Sequence, residues 1–173
     1  MRLPGLALAA AALALAGCNP TVSFDTSIKA TSKIPGSTLG SLGGSLPLAG
    51  FNNINFAQQA NLANNNTDKS HIDHVRVKSL TLTVTTPSPG DLSFLSSLSF
   101  SIEAPGVAKV EIANLSVFPK NQQSVQMNLD NVDLAPYAKA DSLTITSAGA
   151  GTAPGQDTTI DIAMVLTIDA HVL

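Results

Sequence analysis

Tryptophan is absent from this 173-residue chain, tyrosine and cysteine occur once each, and only 12% of the residues are charged. One thiol cannot close an internal disulfide, so a disulfide-stapled scaffold is excluded, and so is an ordinary antibody-type domain with its buried Trp and cysteine pair. No basic tract is present to meet a phosphate backbone, which argues against nucleic acid as a partner. Nucleotide and hydrolase signatures are missing too. Gly149-Ala150-Gly151 lacks the spacing and following helix of a dinucleotide loop, no Gly-Lys-Ser/Thr phosphate loop occurs, and Gly36-Ser37-Thr38-Leu39-Gly40 has threonine where a nucleophile elbow requires serine. The chain shows no internal repeat.

Charge is also missing between Leu3 and Ala16, where a Leu/Ala-rich run follows Met1 and Arg2. This is the layout of an export signal. As a helix the run would extend about 21 Å, short of the roughly 30 Å hydrocarbon core, so it is expected to be removed rather than to span. Removal of residues 1–17 leaves 156 of the 173 residues, one domain's worth of chain, with 8 Lys+Arg against 12 Asp+Glu.

The single cysteine follows this run directly. Leu15-Ala16-Gly17-Cys18 resembles the lipobox of bacterial lipoproteins. The resemblance implies diacylglyceryl transfer to the Cys18 thiol, cleavage before it and acylation of the new amino terminus. Each buried methylene contributes about 0.8 kcal/mol, so two or three chains would hold the protein on the bilayer without help from its folded part. Asn19 stands where the family's inner-membrane proteins in enterobacteria carry Asp. The expected location is therefore the bacterial cell envelope, at the outer membrane.

Residues 18–173 read as a single all-β domain. Apolar residues alternate with polar ones in Val22–Ile28, Leu98–Ala104, Val125–Leu129 and, most extensively, Ile160–Val172. Pro105-Gly106 predicts a hairpin into the strand carrying Val110 and Ile112, and Leu143 and Ile145 mark another strand. Between Val75/Val77 and Leu80/Leu82/Val84 the apolar phase changes, which predicts a bulge or bend near Ser79 or a crossing between sheets. Seven or eight such strands with polar turns predict an antiparallel two-sheet β-sandwich, immunoglobulin-like in general form, with a lipocalin-like β-barrel as the alternative.

Few other segments break the pattern. The Gly/Ser/Leu-rich stretch 35–50 places Leu39, Leu42 and Leu46 at helix-like spacing, but its glycines favour a loop tucked over one end of the sandwich. Asn61–Asp68 reads as an exposed connection. The one helical turn expected lies at 133–139, where Asp133 can cap and Pro136 is tolerated near the start.

Candidate chemistry is sparse. His71 and His74 flank Asp73, but on a strand residues three apart face opposite ways, so surface histidines are expected rather than a metal centre. His171, outward beside Asp169, reads the same way. Asn128, Asp130, Asn131 and Asp133 crowd oxygen donors into a turn without the central glycine and terminal glutamate of a calcium loop. No catalytic residue and no cofactor is assigned. The sequence leads to the expectation of a lipid-anchored, non-catalytic envelope β module that binds a protein or polymer. A carrier of lipid or another apolar molecule and a hydrolase with unrecognised residues are the alternatives.

Overall fold

A computed structural model describes residues 20–37, 40–44 and 54–173. In chain order its elements are β1 (Thr21–Ile34), β2 (Ser41–Gly44), α1 (Phe56–Gln59), β3 (Ile72–Thr86), β4 (Leu95–Ala104), β5 (Val107–Leu115), β6 (Ser124–Gln126), β7 (Asn128–Leu129), α2 (Ala135–Ala138), β8 (Thr144–Thr152) and β9 (Thr158–His171). Short 3-10 turns at Leu62–Asn65 and Lys69–His71 precede β3. Strands order as β1-β9-β3-β6 in sheet A and β2-β8-β4-β5-β7 in sheet B, with antiparallel pairing throughout. The molecule is therefore a two-sheet β-sandwich that does not close into a barrel. Apart from the two-residue β7, this connectivity is that of a jelly roll, two interleaved Greek keys.

The alternation predicts the burial strand by strand. Along β9 every even residue from Thr158 to Ala170 is buried, while the odd ones stay partly or fully exposed. Val75, Leu82 and Val84 from β3, Phe100 and Ile102 from β4 and Ile145 from β8 meet them between the sheets. The phase change at Ser79 is a register shift between Val77 and Ser79 in the β3–β9 ladder, so β3 keeps its apolar face inward without leaving its sheet. The Pro105-Gly106 hairpin joins β4 to β5, with Gly106 at φ 77°, a left-handed value that glycine adopts without a Cβ penalty.

Other expectations are corrected. Leu129, read as inward, is 37% exposed, because β7 pairs with β5 rather than continuing the β6 ladder on β3. Part of stretch 35–50 is strand: Ser41–Gly44 pairs with β8, while Leu39 and Leu46 lie outside the described residues. Asn61–Asp68 is not wholly exposed, since Leu62 and Thr67 are buried. Asn61 and Asn66, at φ 50° and 52°, bracket the turn that directs Leu62 inward. Asn tolerates this backbone better than most residues.

Helical turns are also more numerous than expected. Besides α2 there is α1, whose start is capped by Asn55 accepting from the Gln58 N–H at 3.2 Å. At α2 the cap position is Leu134, and Asp133 just before it accepts the Ala135 N–H at 3.0 Å. Gly149 and Gly151 lie within β8, where a Cβ on Gly151 would collide with the Phe94 carbonyl oxygen beside the register shift between Leu95 and Ser97.

Candidate functional site

Pro20 before β1, the end of β9 and the 61–71 segment meet at one end of the sandwich. The Val172 N–H donates to the Pro20 carbonyl at 2.9 Å, and the Leu173 N–H donates to the Asn66 carbonyl at 2.8 Å. Buried Thr67 donates its hydroxyl to the His171 carbonyl at 2.7 Å. Cys18 itself lies outside the described residues, two positions before Pro20.

Beside this end, the outer face of sheet A carries charges that are paired across strands. His74 Nδ1 is 2.6 Å from Asp133 Oδ2, and His171 Nδ1 is 2.7 Å from Asp73 Oδ2. Asp25 on β1 accepts from Lys78 of β3 at 2.5 Å and from Thr167 of β9 at 2.8 Å, which lowers its carboxyl pKa. Farther along β1, Thr31 donates to Asp161 at 3.0 Å. The sequence shows these residues only as outward-facing. Which acid meets which base follows from the β1–β9–β3 register, except for Asp133, which the loop before α2 brings to His74.

The two histidines weighed as metal ligands are held apart. His71 pairs with Asp68 at 2.9 Å, His74 with Asp133, and Asp73 with His171. Among the described residues no three His, Cys, Asp or Glu side chains come together in a metal-binding group. At the turn weighed for calcium, Asp133 is committed to protein donors. Its Oδ1 accepts from the Val75 and Ala135 N–H groups at 3.1 and 3.0 Å. Burial raises this carboxyl pKa, but hydrogen bonds from His74 and the two N–H groups outweigh it, and the net shift is downward.

Sequence reasoning missed one serine–histidine–aspartate contact. Ser70 Oγ donates to Asp68 Oδ1 at 2.6 Å, and His71 Nδ1 is 3.1 Å from Ser70 Oγ and 2.9 Å from Asp68 Oδ1. A relay needs acid and hydroxyl on opposite ring nitrogens. Here both meet the same nitrogen, and the acid takes the hydroxyl proton directly. The cluster instead caps the 3-10 turn, with the Ser70 N–H also donating to Asp68 at 2.8 Å. The Ser70 and His71 bonds hold the Asp68 carboxyl well below the usual carboxylate range. A signal was available, since Asp68-Lys69-Ser70 is an Asx-type turn sequence.

Two spaces differ in character. Between the sheets, an enclosed space of about 10 Å³ lined by Ile28, Phe56, Val75, Ile102 and Met164 among others holds at most one water. Over α1 and the 3-10 turns, an open groove of about 620 Å³ runs along Ala57, Leu62 and Ala63, with Asp68 and Lys69 also in its lining. No described helix is long and apolar enough to cross a membrane.

No protein-family model and no curated protein matches the chain. Solved structures similar to it include the decameric BFDV capsid protein, at 9% identity and TM-score 0.42, covering 88% of this chain and 100% of that one. The 60-mer BFDV capsid protein is also similar, at 11% identity and TM-score 0.42, covering 90% and 96%. Likeness at this level carries nothing about activity.

Proposed function

We propose that this chain is a lipid-anchored, non-catalytic module of the bacterial envelope, held at the outer membrane through Cys18, that presents the polar outer face of sheet A to a protein or polymer partner. The observation that carries the reading is the distance between lipobox and fold. Cys18 and the first residue of β1 are separated only by Asn19 and Pro20. Three residue steps at about 3.5 Å reach roughly 10 Å, so a lipid on Cys18 holds the sandwich nearly flush with the bilayer. The partner face is supported by its composition. The outward residues of β1 are Ser, Thr, Asp and Lys, and those of β9 are polar except at Ala163 and Val165, adding Thr159, Asp161, Thr167, Asp169 and His171.

The test of the anchor is Cys18→Ser in the native host. The parent chain should fractionate with membrane and into detergent, and the variant should lose acylation and leave the outer-membrane fraction. Unchanged fractionation would contradict the proposal. In-cell crosslinking from Ser23 and Thr31 positions should then identify the partner on the sheet A face. The open groove beside α1 favours one second reading, capture of an apolar chain, which fluorescent fatty-acid titration tests directly.

A further inference from the structure

β1 is an edge strand of unusual length and regularity. It runs 14 residues, longer than most edge strands, and its register with β9 is unbroken from Thr21↔His171 to Ile34↔Thr158. Which of its backbone groups face outward follows from two hydrogen bonds. Even-numbered Pro20 offers its carbonyl to Val172 across the ladder, whereas odd-numbered Ser27 offers its carbonyl away from β9 to the Gln59 side chain at 3.2 Å. Ladder bonding alternates residue by residue. Every odd residue from Thr21 to Lys33 therefore turns its N–H and C=O toward the open edge, and each of those residues is exposed. Among the described residues, Gln59 is the one residue bonded along that edge: its side-chain amide donates to the Ser27 carbonyl, and its backbone carbonyl accepts the Thr26 hydroxyl at 3.2 Å.

Such an edge is a template for another strand. The sequence of β1 specifies which. Its odd positions read Thr21, Ser23, Asp25, Ser27, Lys29, Thr31 and Lys33. If two copies pair antiparallel about Ser27, Asp25 of each lies opposite Lys29 of the other, Ser23 lies opposite Thr31, and Thr21 lies opposite Lys33. Sliding the pairing by two residues leaves both Asp25 residues opposite uncharged ones. Sliding by four sets Asp25 against Asp25 in one direction, and in the other sets Lys29 against Lys29 while Asp25 faces Lys33. The register centred on Ser27 thus faces unlike charges with no like charges opposed.

We infer that β1 is a homodimerisation edge, and that two copies of this chain join their A sheets into one continuous sheet through antiparallel β1–β1 pairing centred on Ser27. A C2 contact of this kind closes on itself and uses up the β1 edge of both copies. Gln59 swings off the Ser27 carbonyl as the second strand docks. The inference stands on the edge and its charges, and does not depend on the lipid.

The register makes the test specific. Across the two-fold the Ser27 Cα atoms lie about 5.5 Å apart, within disulfide reach, whereas Ser23 faces Thr31 and not itself. With Cys18, the single cysteine of the chain, replaced by Ser so that the introduced thiol stands alone, Ser27→Cys should form a covalent dimer on mild oxidation and Ser23→Cys should not. Lys29→Asp should weaken the dimer about tenfold or more by sedimentation, since it sets a second carboxylate opposite each of the two Asp25 side chains. Mixing Asp25→Lys protein with Lys29→Asp protein should restore pairing as a heterodimer. Circular dichroism melts matching the parent confirm that each variant is folded. Equal crosslinking of the two cysteine variants, or a monomer at every concentration examined, would overturn the inference.

Discussion

β1 and β9 are both 14 residues long, lie side by side in perfect register and carry the same polar–apolar alternation, yet they occupy opposite situations. β9 is bonded on both sides and buries its inward residues along its whole length. β1 is bonded on one side, and Val22, Phe24 and Thr26 are only partly buried before Ile28 enters the core. Alternation in sequence therefore specifies which face turns inward. How deeply that face is buried, and whether a strand has one neighbour or two, is decided by topology.

Substitutions that treat the two strands alike should break the symmetry of the sequence most visibly. Ile162→Ala, at 1% exposure in β9, should cost about 3–4 kcal/mol in denaturant unfolding, and Phe24→Ala on β1 about 1–2 kcal/mol. Equal losses would show that β1 is as deeply committed as β9.

The next effect concerns the joint between β3 and α2. Asp133→Ala should cost about 1–2 kcal/mol, because the N–H of fully buried Val75 loses its acceptor. The folded carboxyl pKa lies below its unfolded value, so the contribution of Asp133 is present above about pH 4 and fades as pH falls through the lower folded pKa. The gap between Asp133→Asn and the parent should therefore narrow on acidification in urea titrations. A gap independent of pH would mean that the carboxylate charge is not what holds the joint.

A smaller effect has the opposite sign. Ser32 on β1 is fully buried, and its hydroxyl has no hydrogen-bond partner. Ser32→Ala should stabilise the protein by about 1 kcal/mol, read as a higher urea midpoint at constant slope. Hydrogen exchange offers a finer distinction between the strands. In monomeric protein, even-numbered amides of β1 should be protected and odd-numbered ones should exchange quickly, while β9 is protected at every position.

The strands and the bulge near Ser79 were legible because one face is apolar, and a single-residue slip there reverses the phase of the whole pattern. The hairpin at Pro105-Gly106 was legible from turn chemistry. The segment before β3 is less legible, because its Asn-rich composition outweighs single buried residues such as Leu62, and its first helical turn is marked only by the Asn55 cap on the Gln58 N–H. Leu129 misled because alternation continues in sequence past the point where pairing changes sheets. At the candidate site, outward His and Asp residues are visible, but the pairs they form join residues up to 142 positions apart and need the register to be seen.

The central claim is that a lipid on Cys18 holds a sandwich whose first strand starts at once. Intact mass of the N-terminal peptide from protein purified out of native membranes tests it most directly. The account predicts a chain that begins at Cys18 and carries diacylglyceryl and N-acyl groups. A free Cys18 thiol, or a chain that still carries residues before it, would contradict the account.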